Sequence, residues 1–278
     1  MPVIHEADKL YLGSSIADRV YLGANLVWPV AGPALQALIN SLFSAGEQGA
    51  IYVPIPVVNG AQALFQDSAG TVPVTADGDP VGKMIDQSGN GNHATQSVSG
   101  SRPVYRTDGV LHWLEFDGFD DDIELPNSAF NFTGDQAVFI AAKHNTGSGG
   151  NIYLMGGDDK GYLFATASAS NEMRFIPIGS GGSARSSSVI GTGPIVFGGN
   201  WNRTSGDVSL RENGAVYTDT GTPTDVTVPV VTFLGSGNPR GDNWDGRVYG
   251  MVAISVLLTP SETANVEDYL ASLSGVTL

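Results

Sequence analysis

From residue 61 onward the chain alternates apolar and polar positions in short runs broken by Gly, Ser, Asn or Asp, the period-two pattern of strands with one face buried. Runs at 136–143 (QAVFIAAK), 151–155, 162–166, 172–178 and 194–201 each predict a strand. The runs at 207–212 and 215–219 flank Asn213-Gly214, a pair that accepts positive φ at both central positions and so predicts a two-residue hairpin. Runs at 230–234 and 247–256 complete a set whose spacing predicts an antiparallel sandwich of two sheets. The stretch 102–125, RPVYRTDGVLHWLEFDGFDDDIEL, holds a strand-like run at 111–116, an Asp117-Gly118 turn, then Asp120, Asp121 and Asp122.

Two segments switch to the helical period. Leu35, Leu38, Ile39, Leu42 and Phe43 recur at helical spacing within 33–45, with Pro33 in the first turn and Gly46 after the end. About a dozen residues are marginal as a helix in water, so this one must dock on the main domain or on copies of itself. Gly46, Gly49, Gly60 and the Pro54-Ile55-Pro56 segment read as a linker. Near the C-terminus, Thr259 as N-cap, Pro260 as first helical residue, Glu262 as capping-box partner and Gly275 as stop predict a second helix with Val266, Leu270 and Leu273 on one face.

The first thirty residues follow neither period for long. Lys9-Leu10-Tyr11-Leu12-Gly13 recurs ten positions later as Arg19-Val20-Tyr21-Leu22-Gly23, followed by Asn25-Leu26-Val27-Trp28, which predicts two or three short strands. So small a segment needs a partner or a neighbouring domain to bury its surface. The expected organisation is a small β module over 1–30, a helix and linker over 31–60, and an all-β sandwich over 61–278.

Composition narrows the function. The 278 residues carry 28 acidic and 13 basic side chains, a net charge of −15, with no Lys/Arg cluster. Nucleic acids and anionic membranes, which both need a basic footprint, are disfavoured as partners. The absence of cysteine removes disulfides, thiolate nucleophiles and sulfur ligands together. The opening MPVIHEADKLYLG has no basic start followed by an apolar core, and no apolar run approaches the ~20 residues that span a bilayer, so synthesis in the cytoplasm without a signal peptide is expected. His5, His93, His112 and His144 have no zinc spacing, the segment GDPVGKM at 78–84 is one residue short of a phosphate loop, and there is no G-x-S-x-G elbow.

Three blocks in fixed order carry a family resemblance: Asp86-Gln87-Ser88-Gly89-Asn90-Gly91-Asn92-His93-Ala94; Leu114-Glu115-Phe116-Asp117-Gly118-Phe119-Asp120-Asp121; and Asp245-Gly246-Arg247 followed by Leu258-Thr259, Glu262 and Tyr269-Leu270. Together they resemble the concanavalin A-like lectin/glucanase fold in its laminin-G-like form, a jelly roll found in bacterial and phage surface proteins. Gly250 stands where such modules commonly carry a carboxylate. The N-terminal KLYLG and RVYLG copies resemble the short attachment modules of phage and prophage fibre or spike proteins. The resemblance implies a fibre or head-spike protein on the surface of a phage or phage-like particle such as a gene transfer agent. Residues 1–30 would engage a particle base protein, and the sandwich, as a homo-oligomer, would bind a host capsular or surface polysaccharide. A polysaccharide depolymerase and a purely structural decoration of capsid or tail are the alternatives.

Some relatives of this fold are glycosidases, and Glu115, Asp117 and Asp120 echo their carboxylate cluster. Gly118 ends the strand before a third carboxylate can share its face, so Asp117 is expected to shape the turn and the chain to bind glycan without cleaving it. Sugar sites combine an aromatic face with Asn, Asp and Arg donors and acceptors. Two loops carry that combination: Trp201, Asn202 and Arg203 in one, and Asn238, Arg240, Asp242, Asn243 and Trp244 in the other. Either indole can instead belong to the core rim. Asp120, Asp121, Asp158 and Asp159 are candidate calcium ligands, but neither pair has a fixed loop signature, and acidic turns of this kind are more often simply solvated.

Overall fold

The computed structural model describes residues 11–12, 15–16, 20–22, 25–28, 32–145, 153–157, 161–166, 172–189, 191–224, 229, 231–237 and 243–278. Two antiparallel sheets face each other, as the alternating pattern requires. One contains eight strands, in the order Val104–Thr107, His112–Asp117, Asp245–Ile254, Gln136–His144, Ile195–Asn202, Asp207–Glu212 and Ala215–Thr220, with Gly49–Tyr52 added beside Asp245–Ile254. The other has nine, in the order Ala184–Val189, Glu172–Phe175, Gly161–Thr166, Tyr153–Gly157, Thr232–Leu234, Ile123–Leu125, Ala94–Thr95, Lys83–Met84 and Leu64–Phe65. Asn213 and Gly214 have φ of 47° and 83°, as the hairpin turn requires.

The core between the sheets is built from inward residues of both, among them Leu114, Phe116, Val138, Ile140, Phe164, Phe175, Phe197 and Val248. A second apolar layer lies on the outer face of the eight-stranded sheet. There helix α1 (Gly32–Leu42) presents Leu35, Leu38 and Leu42, and helix α2 (Pro260–Ser274) presents Val266 and Leu270, to Phe139, Ala141, Val252 and Ile254. Strand Gln136–His144 is therefore covered on both faces, which is why its run is continuously apolar instead of alternating. Gly250 has a structural reason here: a Cβ would lie 2.8 Å from Leu273 Cδ1, so the missing side chain lets α2 settle on the central strand. Glu267 of α2, 3% exposed, accepts from Arg211 Nε at 2.7 Å and Nη2 at 2.9 Å, a bidentate pair that fixes the helix against strand Asp207–Glu212. The capping box at Thr259 and Glu262 is formed, and Gly275 ends the helix at φ 73°.

One expectation needs correction. The segment read as a linker contains strand Gly49–Tyr52, which pairs with the central strand from Met251↔Tyr52 to Ile254↔Gly49. Its glycines and prolines suggested a connector, but four consecutive residues are buried because the sheet lies on one side and α1 on the other. Near the N-terminus, Tyr11–Leu12 pairs antiparallel with Ser15–Ile16 and Val20–Leu22 with Asn25–Trp28.

The strand Gly49–Tyr52 is held by the Asp86 motif. Asp86, 5% exposed, accepts from Ile51 N and Ser88 N through Oδ1, both at 2.9 Å, and from Ser88 Oγ at 2.8 Å and Asn92 N at 3.0 Å through Oδ2. Asn92 Nδ2 donates to Gly49 O at 2.7 Å, and Asn90 Nδ2 to the same carbonyl at 3.1 Å. Removing this carboxylate strands buried donors, each of which costs about 1–3 kcal/mol. Asp86→Ala is expected to lower unfolding stability by about 3 kcal/mol, measured by denaturant titration, whereas Asp120→Ala on the exposed turn should change it by less than about 1 kcal/mol.

Candidate functional site

The acidic turn begins where strand His112–Asp117 ends. Asp117 Oδ1 accepts from Phe119 N at 2.8 Å, Asp120 N at 3.3 Å and Asp121 N at 3.4 Å, while Asp121 Oδ2 accepts from Asp117 N at 3.0 Å. Gly118 is obligatory twice over, because it has φ 75° and a Cβ would lie 2.7 Å from Asp245 Cβ. Asn243 Nδ2 donates to Phe119 O from the neighbouring loop. With its backbone tied at both ends, Phe119 holds its ring 84% exposed at the tip of the turn. It is the most exposed large apolar side chain among the described residues.

Carboxylates crowd within the same turn. Asp117, Asp120 and Asp121 bring one oxygen each to within 4.8 Å of the others. This spacing would suit a hard cation, and it adds Asp117 to the expected ligands Asp120 and Asp121. Burial, then the charges of Asp117 and Asp120, raise the Asp121 carboxyl to about 7. Burial, then Glu124 and Asp120, do the same to Asp122, also to about 7, against a hydrogen bond from Gln96. Glu115, next on the same strand face as Asp117, is engaged already: it accepts from Trp113 Nε1 at 2.6 Å and Asn145 Nδ2 at 2.9 Å, and pairs with Arg247 Nε at 3.2 Å. Arg247 in turn stacks 4.3 Å from the Trp113 ring centroid.

The expected sugar-stacking indoles lie elsewhere. Trp201 and Trp244 are both 0% exposed in the inter-sheet core, so neither presents a ring face to a ligand. Trp201 sits on strand Ile195–Asn202 four residues after Phe197, on the inward face, and the polar residues around it in sequence occupy the alternate face and the turn. Trp244 packs edge-on against His144 with centroids 4.9 Å apart. Asn202 and Arg203 shape their own turn: Asn202 Oδ1 accepts from Ser205 N at 3.1 Å, and Arg203 donates its N–H to Asp135 and Nη2 to Thr224 O. Among the described residues of the second loop, Asn243 reaches a site, beside Phe119. Asn238, Arg240, Asp242, Asp158 and Asp159 fall outside the described residues.

A second opening went unread in the sequence. Residues 176–183, with Arg185, Asp219 and Thr224, line a cavity of about 530 Å³ at the edge where the two sheets meet. Its only sequence signal was the Gly/Ser punctuation GSGGS at 179–183, which by itself says turn.

No protein-family model and no curated protein matches the chain. Among solved structures, Trypanosoma rangeli sialidase in complex with sialic acid aligns with a TM-score of 0.54 at 13% identity, over 88% of this chain and 38% of the sialidase. An arabinofuranosidase complexed with arabinofuranosyl-alpha-1,2-xylobiose aligns at 0.53 and 13%, over 85% of this chain and 65% of the enzyme. The binding domain of Paraclostridial Mosquitocidal Protein 1 aligns at 0.49 and 15%, over 69% and 50%. The chain thus spans less than two thirds of each. At such identity the likeness is one of fold, an antiparallel β-sandwich that occurs in proteins named for carbohydrate chemistry. The expectation of binding without cleavage is corrected on this ground: a sialidase and an arabinofuranosidase contain the same sandwich, so the fold gives no reason to set catalysis aside.

The turn's carboxyls give a pH signature. Asp121 and Asp122 hold their protons to about pH 7 when folded but ionise near pH 4 when unfolded. Between those limits the folded state binds more protons, so stability falls as pH rises from about 4 to about 7 and is level above. The Asp121→Asn/Asp122→Asn double variant should lose that slope. It should match the wild type near pH 4 and exceed it by about 1–3 kcal/mol near pH 8, in denaturant titrations at the two pH values.

Proposed function

We propose that this chain binds a cell-surface polysaccharide, and that residues 1–30 carry it on a phage or phage-like particle whose adsorption to the host it serves. The observation that supports glycan binding best is Phe119, an exposed ring on a turn already tied by Asp117 and Asn243, with the carboxylates of Asp117 and Asp120 beside it. Such a ring stacks on the apolar face of a pyranose with little ordering cost, and flanking carboxylates and amides accept from and donate to the hydroxyls. Particle attachment rests on the repeated Lys9-to-Gly13 and Arg19-to-Gly23 segments, too small to bury a core unaided. Several copies on one particle would turn weak single-site binding into firm adhesion.

A second reading, cleavage of the bound glycan, is favoured by one observation. Asp121 and Asp122, raised to about 7, hold a proton in the range a glycosidase general acid uses, with Asp117 and Asp120 next to them.

Incubation of the purified chain with capsular polysaccharide from the host separates these readings. Retention on the immobilised polymer is expected, and Phe119→Ala should weaken it about tenfold, the worth of one aromatic stack. Equal retention of the variant would remove Phe119 from the site. New reducing ends that disappear in Asp121→Asn would establish cleavage. Deleting residues 1–30 is expected to leave the polysaccharide retained while abolishing incorporation into particles, scored by immunoblot of purified particles. Unchanged adsorption by particles lacking residues 61–278 would instead favour a structural decoration.

A further inference from the structure

The cavity at the sheet edge has walls fixed by backbone contact. Ser183 N donates to Asp219 Oδ2 at 2.8 Å, and Thr224 N donates to Gly179 O at 2.9 Å. A Cβ on Gly221 would lie 2.1 Å from Ser180 O, and one on Gly181 would lie 2.8 Å from Thr222 O, so the two loops meet where only glycine fits. The opening is therefore preformed, and at about 530 Å³ it lies within the size range of small-molecule sites.

Its chemistry differs from the rest of the surface. Arg174 and Arg185 are direct partners across the antiparallel pair Glu172–Phe175 and Ala184–Val189. Strand alternation sends Met173, Phe175 and Ala184 into the core and turns both arginines outward. Like charges placed directly opposite are unfavourable, and here two of only 13 basic residues in a chain of net charge −15 share one row. Arg174 Nε is buried without a hydrogen-bond partner, and so is Ser183 Oγ. Asp219, the acid among the lining residues, accepts from Ser183 N and Thr220 N, and these bonds, with the Arg185 charge behind them, hold its carboxyl below the ordinary value. Arg185 thus lines a fixed opening with its cross-strand partner Arg174 on the next strand, and Arg174 Nε and Ser183 Oγ have no partner, so an oxyanion is the ligand that answers both the charge and the free donors.

We infer that this edge of the sandwich is an anion-recognising subsite, which binds the carboxylate or other oxyanion groups of an acidic polysaccharide through Arg174, Arg185 and Ser183. The inference rests on the glycan-binding reading and narrows it to charged polymers, but uses a surface distinct from Phe119.

Affinity electrophoresis of the full-length chain tests it, in gels containing alginate for carboxylates, dextran sulfate for sulfates, or neutral dextran. Wild type should be retarded by at least one acidic polymer and more weakly by dextran, and alginate against dextran sulfate shows which oxyanion is preferred. Arg174→Ala and Arg185→Ala should each reduce retardation by the acidic polymer about tenfold, the worth of a charged hydrogen bond, while Arg185→Lys keeps charge without the fork and falls between. Arg185 is exposed, so its variants should melt as wild type does, which keeps the comparison valid should Arg174→Ala fail to fold. Equal retardation of wild type and Arg185→Ala, or stronger retardation by dextran, would overturn the subsite. If Phe119→Ala then abolishes binding while the arginine variants do not, glycan binding survives and only this subsite fails. Absence of retardation by every polymer would remove both.

Discussion

A single buried carboxylate holds together much of what is distinctive in this molecule. Asp86 collects four donors from Ile51, Ser88 and Asn92, and so joins the loop 86–92 to strand Gly49–Tyr52. That strand completes one side of the central strand Asp245–Ile254, whose other half on the same side pairs with His112–Asp117. A buried, ionisable acid is tolerated only when its lone pairs are fully used, and here that requirement dictates the spacing of Asp86, Ser88 and Asn92. The D-x-S-G-N-G-N pattern is thus the sequence of a hydrogen-bond cage, with glycines at 89 and 91 adopting positive φ to close it.

By anchoring Gly49–Tyr52, the cage completes a sheet that is covered on both faces. Helices α1 and α2 occupy the outer face of the eight-stranded sheet, and the second sheet occupies the inner. The covered centre leaves recognition to the ends of strands and the edges of sheets, where turns project. Both candidate surfaces obey this constraint. Phe119 stands on a turn at a strand end, and Arg185 on the strand that ends the nine-stranded sheet.

Legibility varied with how local the physics was. The Asn213-Gly214 hairpin, the Thr259 capping box and the Gly275 stop were readable because each is settled within five residues by backbone preference. The strand Gly49–Tyr52 was not, since its partner lies some two hundred residues away and its glycines and prolines argue for a connector. For Trp201 and Trp244 the sequence left a sugar-stacking surface and the core rim both open, because polar neighbours surround them. In a strand those neighbours face the other way, and both indoles belong to the core. Phe119 drew no reading from the sequence, where it is one apolar residue among aspartates, and only the tied backbone reveals an exposed ring.

The sequence by itself determined the all-β class, the second helix with its caps, the hairpins and the acidic turn, because periodicity and turn chemistry act over a few residues. Tertiary structure alone decided which aromatic is exposed, which carboxyls hold a proton near neutrality, and which two arginines stand side by side. Exposure, desolvation and cross-strand register depend on what packs opposite, and residues distant in the chain supply that.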